Sequence, residues 1–363
     1  MTDQDPLKPI RERIDAIDAE LLTLISERAR CAQDVARVKR EAEPDADVEF
    51  YRPEREAQIL RKVRDDNPGP LSGEEMARLF REVMSACLAL EQPLNIAYLG
   101  PEGTFTQAAA YKHFGHSVST APLGAIDEVF REVESGGCQY GVVPIENSTE
   151  GVVNHTLDMF MESPLKICGE VELRIHQHLL GQDVRIDQVE RVYSHAQSLA
   201  QCREWLDAHL PQAERIAVNS NAEAARRAGA ETGAAAIAGE TAAEPYGLAI
   251  LQRNIEDHPD NTTRFLVIGR QSVAPSGRDK TSLLVSMRNR PGSLYRLLEP
   301  LARAGVSMTR IESRPSHCVN WEYVFFLDVE GHASEPKLRE ALAALREEAD
   351  LVKVLGSYPH AVL

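Results

Sequence analysis

The amino-terminal part of the sequence contains neither proline nor glycine from Ile10 to Glu43. Apolar residues recur there every three or four positions, which predicts one long amphipathic helix. The apolar stripe passes from Leu24 to Arg28, and it includes Lys39 near its end. A cation on a buried face is costly unless an anionic group meets it. The helix is therefore expected to bind an anionic ligand, unless the cations pair with buried acids or extend to the rim of the core.

Helix geometry limits which basic residues can share a ligand. Arg28 and Lys39 lie about 20° apart around the axis and roughly 16 Å apart along it, so they face the same space. Arg11 lies about 100° from Arg28 and roughly 25 Å along the axis, so it cannot easily reach the same ligand within one chain. A helix of roughly 50 Å also exceeds what a compact segment of about 90 residues can cover alone. We therefore expect an antiparallel dimer, in which Arg11 reaches the partner's ligand; a helix that serves dimerisation alone is the alternative.

Two shorter helices are predicted next. Pro53 suits the first turn of a helix, and Arg55 and Glu56 follow within that turn. A capping-box pattern at Ser72–Glu75 opens a third helix, whose apolar stripe continues into Glu91. Two of the three helices thus place an ionisable group where an apolar one is expected.

The arginines of these helices suit a ligand with two carboxylates, because guanidinium groups bind carboxylates bidentately. Lys39 and Glu91 could both address an ether oxygen that gains negative charge, which fits an electrostatically assisted rearrangement. On these residues, positions 1–92 resemble the all-helical chorismate mutases, which convert chorismate to prephenate. In this family a serine or another small residue usually stands where Cys87 does. The resemblance implies a catalytic set of Arg11, Arg28, Lys39, Arg55, Glu56, Cys87 and Glu91.

Composition narrows the remaining possibilities. A chain of 363 residues is expected to form two or three domains, and 43% hydrophobic residues suffice for folded cores. The net charge of −16 argues against nucleic-acid and anionic-membrane partners. The six cysteines show neither disulfide nor zinc spacing, so reduced thiols and no metal or other cofactor are expected. The first residues lack a signal pattern and no apolar run approaches a membrane span, which predicts a cytoplasmic protein.

From Asn95 onward, short apolar runs alternate with polar loops and helices. Runs at 96–99, 140–145, 192–193, 216–218 and 264–268 predict strands of an α/β domain with a largely parallel sheet over residues 94–270. Polar clusters follow these strands, and open α/β sheets bind ligands in the crevice at that edge. Helix capping is the alternative role for Ser148, Thr149 and Ser220. Capping alone does not account for Glu146, Asn147, Thr263 and Arg264.

Four motifs in this domain resemble those of the prephenate dehydratases. They are GPEGTF at 100–105, VPIENS at 143–148, Ser194-His195 followed by Gln197 and Gln201, and PDNTTRF at 259–265. The resemblance implies a two-lobed fold like that of periplasmic binding proteins. It also implies the loss of a ring hydroxyl and carbon dioxide from prephenate, which gives phenylpyruvate.

The departing hydroxide needs a proton donor or a hydrogen-bond network. The resemblance makes Thr263 the leading donor, with His195 as the alternative. It also implies that Arg264 and the helix N-termini near Thr104 and Ser148 hold the substrate carboxylates. The residues left to orient the hydroxyl and pyruvyl groups are Glu146, Asn147, Ser194 and Gln201.

A linker at 270–278 leads to a segment over residues 279–363, whose element order βαββαβ is the ferredoxin-like plan. Its loop 289–294 and its Glu-Ser-Arg-Pro sequence at 312–315 resemble the phenylalanine-site motifs of ACT domains. A glycine turn before a helix lets backbone N–H groups approach an amino-acid carboxylate. The resemblance implies an effector site made of Asn289, Gly292, Ser293, Leu294, Glu312, Ser313, Arg314 and Pro315.

Together the resemblances imply a multidomain protein: an all-α domain, a two-lobed α/β domain and an α+β ferredoxin-like domain. They imply a bifunctional enzyme of phenylalanine synthesis that acts on chorismate and prephenate, forms a homodimer or a tetramer, and is inhibited by L-phenylalanine. Two alternatives remain open. One is a dehydratase that acts on arogenate, and the other is a non-catalytic amino-acid sensor on the same scaffold.

Overall fold

The fold is described from a computed structural model, which covers residues 6–42, 49–288, 290–315 and 323–363. Asn289, which was predicted to belong to the effector site, lies outside the described residues.

The amino-terminal segment consists of α1 (Lys8–Ala42), α2 (Pro53–Asp65) and α3 (Gly73–Glu91). Both predicted helix starts are confirmed. Pro53 occupies the first turn of α2, and the Ser72 hydroxyl accepts a hydrogen bond from the Glu75 N–H at the start of α3. The bundle has a small core of Leu60, Ala77 and Met84.

The long first helix leaves its apolar stripe uncovered. Ala36 is its buried residue, whereas Ile14, Leu21 and Leu24 are 51%, 50% and 61% exposed. Full burial of a side chain of this size contributes about 1.5–3 kcal/mol, so an isolated chain forgoes a large stabilisation along this face.

The middle segment forms two lobes. The first contains β1 (Asn95–Leu99), α4 (Phe105–Phe114), β2 (Ser119–Leu123), α5 (Ile126–Ser135), β3 (Tyr140–Asn147), β4 (Gly151–Val152), α6 (Asn154–Glu162) and β5 (Lys166–Arg174). The second contains β6 (His178–Gly181), β7 (Arg191–His195), α7 (Ala196–Gln201), α8 (Arg203–His209), β8 (Glu214–Val218), α9 (Asn221–Ala230), β9 (Ala234–Ala238) and β10 (Ala249–Gln252). The chain then returns to the first lobe as β11 (Thr262–Gly269). The predicted two-lobed plan is confirmed.

The expectation of a largely parallel sheet is wrong, because each lobe has its own mixed sheet. The strand orders are β2-β1-β3-β11-β5 and β10-β6-β9-β7-β8, with β4 paired to β3. β1 runs parallel to β2 and β3, but β11 is antiparallel to both β3 and β5. The reason is the return from the second lobe: β11 starts at the edge where β1 and β3 end.

The carboxy-terminal segment consists of β12 (Asp279–Met287), α10 (Ser293–Arg303), β13 (Met308–Pro315), β14 (Tyr323–Glu330), α11 (Pro336–Glu348) and β15 (Leu351–Pro359). The sheet order β13-β14-β12-β15 is fully antiparallel, and the predicted βαββαβ plan is confirmed. One face packs on α10 and α11 through residues such as Leu297 and Leu342. The other face packs on the first lobe, where Phe326 and Tyr358 share a core with Phe160 and Ile167.

The helical segment is attached to the first lobe by buried polar contacts. The Tyr51 hydroxyl lies 3.0 Å from His113 Nε2, and Arg81 donates to the backbone carbonyl of Lys112 at 2.7 Å. Burial and the nearby Arg81 lower the pKa of His113 to about 3, so its ring is neutral. Within the described ranges, no helix combines the length and apolarity required to cross a bilayer.

Candidate active sites and effector motif

A cleft of about 420 Å³ lies between the two lobes. The polar ends of several strands meet there, as the sequence predicted. From the first lobe come the 100–105 loop, the end of β3 and the start of β11. From the second lobe come the end of β7, helix α7 and the start of α9.

The first loop also bridges the lobes. Gly103 has a φ of +83°, and a Cβ at this position would come within 2.9 Å of the Ala242 backbone. The Tyr246 hydroxyl donates to the Glu102 carbonyl at 2.9 Å. Glycine is therefore required both for the left-handed backbone and for the close approach of the second lobe.

Thr263 lies in the cleft at the centre of an amide network. Its hydroxyl oxygen accepts a hydrogen bond from Asn147 Nδ2 at 2.7 Å, and the same amide donates to Asn261 Oδ1 at 2.8 Å. The side-chain oxygen of Asn147 accepts from the Thr149 N–H and hydroxyl and from the Glu150 N–H. These contacts fix the orientation of the amide, because only its nitrogen can donate to Thr263.

Three other predicted residues line the cleft: Thr104, His195 and Gln201. Thr104 donates to the Leu99 carbonyl at 3.2 Å, and Gln201 accepts from Gln177 at 3.3 Å.

Ser194, in contrast, is fully buried and does not line the cleft. Its hydroxyl donates to the Ile237 carbonyl at 2.8 Å and lies 3.0 Å from Asn221 Oδ1. The structure thus places the Ser194 side chain outside the cleft lining, and the expectation that it orients substrate stays a prediction.

Asn221 is a cleft residue that the sequence reasoning missed. Its side-chain oxygen accepts from the His195 N–H at 3.1 Å and from the Ser198 hydroxyl at 3.1 Å, and its amide donates to Gln177. At this point the sequence indicated a helix start with Ser220 as its N-cap. The cap is confirmed, because the Ser220 hydroxyl accepts a hydrogen bond from the Glu223 N–H. A cap explains why a helix starts there, but it gives no indication of the network.

Glu146 and Arg264 also lie outside the cleft lining. Glu146 pairs with Arg310 of β13 at 3.1 Å. Arg264 pairs with Glu170 at 2.9 Å and with Asp328 of β14 at 2.6 Å. Both side chains are directed to the carboxy-terminal sheet, so the structure does not group them with the cleft residues. That Glu146 orients substrate and that Arg264 meets a substrate carboxylate stay predictions.

The predicted residues of the helical segment are only partly brought together. Arg28 and Lys39 are half-buried, Cys87 is buried, and Arg11 and Arg55 are exposed. Burial raises the pKa of Glu91, and the neighbouring charges of Lys39 and Arg28 offset this only in part. The charges of Lys39 and Arg28 on α1 thus act on Glu91 at the end of α3.

Glu56 faces the junction with the first lobe. Its carboxylate lies 3.1 Å from Arg81 Nε, and both side chains are largely buried. Burial raises the pKa of Glu56, while Arg81, Tyr51 and Arg28 counteract this effect. Arg81 had not been singled out in the sequence, because a lone arginine on a helix gives no sign of its partner.

The effector motif has two halves, the loop before α10 and the 312–315 segment of β13. Both halves lie at one end of the carboxy-terminal sheet. Met287 at the end of β12 pairs with Tyr323, and Tyr323 pairs with Pro315 at the end of β13. The halves are therefore two strands apart, or about 10 Å. Gly292 precedes α10 with a φ of +80°, Ser293 is buried, and the exposed members are Gly292, Leu294, Ser313 and Pro315.

Glu312 and Arg314 alternate with those exposed residues. Arg314 forms a bidentate pair with Asp158 of α6, at 2.7 and 2.8 Å. Its guanidinium links the motif to the first lobe, and its assignment as a direct effector contact stays a prediction. In the described part of the chain, no group of three or more His, Cys, Asp or Glu residues could hold a metal ion.

The fold and its sites define a three-domain protein: a helical bundle with a cationic stripe, a two-lobed domain with a polar cleft, and a ferredoxin-like domain. Family models match each part: chorismate mutase type II over residues 10–92, prephenate dehydratase over 96–273 and the ACT domain over 281–347. The chain belongs to the family of bifunctional chorismate mutase/prephenate dehydratases. The prediction of two enzymatic domains followed by an ACT domain is thereby confirmed, and a purely non-catalytic sensor is excluded.

Relatives and solved structures agree with this assignment. A bifunctional chorismate mutase/prephenate dehydratase of Pseudomonas aeruginosa is 62% identical, with 100% of both chains covered. The crystal structure of a prephenate dehydratase from Arthrobacter aurescens in complex with L-Phe is 34% identical with a TM-score of 0.68, covering 73% of this chain and 90% of that one. A protein described as a quorum-quenching acylase is 32% identical with a TM-score of 0.69, covering 74% and 98%.

Proposed function

We propose that the helical domain rearranges chorismate to prephenate and that the interlobe cleft converts prephenate to phenylpyruvate, with L-phenylalanine as an inhibitor bound by the ACT domain. The hydrogen bond from Asn147 to Thr263 carries the dehydratase half of this proposal. It occupies a lone pair of the Thr263 oxygen and so leaves the hydroxyl hydrogen free to donate into the cleft.

In this mechanism the Thr263 hydroxyl donates to the ring hydroxyl of prephenate as its C–O bond breaks. The bond between the ring and its carboxylate carbon breaks, carbon dioxide leaves, and the two electrons of that bond complete the aromatic ring. The ring hydroxyl takes up the donated proton and departs as water, and solvent returns one proton to the Thr263 oxygen. A threonine hydroxyl is a weak acid, so the network of Asn147 and Asn261 must support the developing charge. The N-terminus of α4, after Thr104, offers N–H groups to a substrate carboxylate.

Thr263→Ala tests this role. Loss of a positioned donor lowers turnover by about 10²- to 10⁴-fold, and Thr263→Ser should retain much of the activity because it keeps the hydroxyl. Dehydratase and mutase rates are measured on the same samples, and the mutase rate should not change. If Thr263→Ala turned over prephenate at the unmodified rate, the donor would have to be another group, with His195 as the next candidate.

In the helical domain, the arginines hold the two carboxylates of chorismate, while Lys39 and Glu91 address its ether oxygen. The shared environment of Arg28, Lys39 and Glu91 supports this proposal. The exposed stripe of α1 supports a homodimer in which a second copy covers Ile14, Leu21 and Leu24 and supplies Arg11 to the site. Further association to a tetramer is compatible with this arrangement.

Feeding chorismate to the purified chain, and following prephenate and phenylpyruvate with and without L-phenylalanine, tests the whole sequence of steps. Arogenate supplied in parallel tests the alternative substrate, which carries an amino group in place of the keto group. The reaction is proposed to take place in the cytoplasm, and cell fractionation with an antibody against the chain checks this location.

A further inference from the structure

Two neighbouring rungs of the first-lobe sheet have different partners. β3 and β11 pair Asn147 with Thr263, and on the next rung they pair Glu146 with Arg264. Successive side chains of a strand point to opposite faces of the sheet. The Asn147–Thr263 rung therefore faces the cleft, and the Glu146–Arg264 rung faces the ACT domain.

The second rung is held by two ACT side chains of opposite charge. Arg310 Nε lies 3.1 Å from Glu146 Oε2, and Asp328 Oδ2 lies 2.6 Å from Arg264 Nη1. Arg310 and Asp328 are themselves cross-strand partners on β13 and β14. These four side chains form a ring of alternating charge in the order Glu146, Arg310, Asp328 and Arg264. Two sides of the ring are the ion pairs between the domains, and the other two are the cross-strand pairs within each sheet. Each domain contributes two members.

The ring is largely removed from water. The side chains of Arg264, Asp328 and Arg310 are 13%, 7% and 13% exposed, and that of Glu146 is 41% exposed. Arg310 Nη2 is buried without a hydrogen-bond partner among the described groups. The Arg264–Asp328 pair is screened little in these surroundings, and Arg264 has Glu170 as a further partner. Removal of Arg310 therefore affects Glu146 most, because Arg310 is its ion-pair partner among the described residues. The ring therefore constrains where Glu146 and Arg264 can lie.

We infer that Arg310, an ACT residue, is a positioning residue for the dehydratase reaction. It holds Glu146, and Glu146 is bonded through one peptide unit to Asn147, which donates to Thr263. A misplacement of about 1 Å at reacting groups can lower a rate about a hundredfold, so a small shift of this rung matters. The inference rests on the proposed role of Thr263 as donor.

Arg310→Gln in the full chain tests the inference. Mutations in coupling networks of this kind have effects that correspond to about two- to thirtyfold changes. We expect kcat for prephenate to fall by that factor with KM unchanged, because the cleft residues that bind substrate remain in place. Arg310→Lys should recover part of kcat, since it restores the charge without the fork of donors. The mutase rate of the same samples should stay constant.

Lys166→Met is the matched control. Lys166 Nζ donates to the Val354 carbonyl at 2.8 Å, across the same interface between the first lobe and the ACT domain. Its replacement by methionine removes one charge from that interface, as Arg310→Gln does. Its register partner on β11 is Gly269, at the end of the strand far from Thr263. Its dehydratase kcat should therefore equal that of the unmodified chain, even if its melting temperature falls.

Glu146→Gln provides a second variant in case Arg310→Gln folds poorly. It should lower kcat by a similar factor, and the double variant should fall no further than either single one, because both changes break one contact. The inference is overturned if Arg310→Gln and Glu146→Gln behave like Lys166→Met, or if their effects multiply. A Thr263→Ala variant that retained activity would instead overturn the proposed donor.

Discussion

At the scale of residues, Thr263 and Arg264 are chain neighbours in opposite environments. Thr263 belongs to a small amide network in the cleft, whereas Arg264 belongs to an interface of buried charges. Burial alone would lower the pKa of Arg264, but Tyr358, Asp328 and Glu170 raise it, so the guanidinium keeps its charge. One strand thus presents the proposed proton donor on one face and a domain attachment on the other.

Glu91 leads to a pH prediction at this scale. To donate to an ether oxygen, its carboxyl must be protonated, and burial already raises its pKa above the ordinary value. The active form is therefore present at low pH and is lost as pH rises through this raised pKa. Mutase activity should decline over that range, and Glu91→Gln should flatten the decline because an amide donates at every pH.

Rates of both proteins across mildly acidic to mildly alkaline pH check this prediction. The dehydratase rate of the same samples corrects for general effects of pH on the fold. A level mutase profile in the unmodified chain would contradict the role assigned to Glu91.

The sequence identified Asn147 and Thr263 because polar residues beside a predicted strand end are expected at a ligand crevice. The same reasoning placed Glu146 and Arg264 in the crevice, whereas both side chains are directed to the carboxy-terminal sheet. Which residue of a motif faces the cleft depends on register and on what packs behind the sheet, and neither is visible in a short motif. Asn221 was missed because a helix-start signal accounted for its surroundings.

At the scale of elements, α1 has more apolar surface than its own chain can cover. Leu21→Glu should leave the single chain folded, since the side chain is half exposed there, but it should place a charge in the proposed dimer interface. We expect the dimer to dissociate and mutase activity to fall, while prephenate turnover persists. Sedimentation velocity and the two assays measure these outcomes.

Ala19→Glu is the matched control, because Ala19 is exposed on the same helix about 160° from Leu21 around the axis. It should keep both the association state and the mutase rate. A Leu21→Glu chain that remained dimeric, or an unmodified chain that sedimented as a monomer, would remove the basis for the proposed interface.

Element types were more predictable than their pairing. The helices of the bundle and the βαββαβ order followed from periodicity and turn residues. Strand β9 (Ala234–Ala238) did not, because four of its five residues are alanine, which favours helices over strands. The mixed sheets could not be predicted either, since strand direction follows from the path of the chain through the second lobe.

At the scale of the whole molecule, the ACT domain is attached to the first lobe by ion pairs on β13 and β14 and by a shared core. If L-phenylalanine binds the folded chain, it should raise the melting temperature; at about 100 times its Kd the stabilisation is about 2.7 kcal/mol. Prephenate turnover should fall in parallel, provided that the effector binds the less active conformation more tightly.

Differential scanning calorimetry and the dehydratase assay over one concentration series check both effects, with D-phenylalanine as the control ligand. The two responses should have the same midpoint. Inhibition that saturating prephenate relieves would indicate competition at the cleft in place of a site on the ACT domain.

The position of β11 has a consequence for how the chain matures. This strand lies between β3 and β5, yet it is made only after the entire second lobe. During synthesis on the ribosome, the strand edges that β11 will cover on β3 and β5 stay unpaired while about a quarter of the polypeptide emerges. Contacts of such long sequence separation also form slowly. The nascent first lobe therefore depends on protection from aggregation until its last strand arrives.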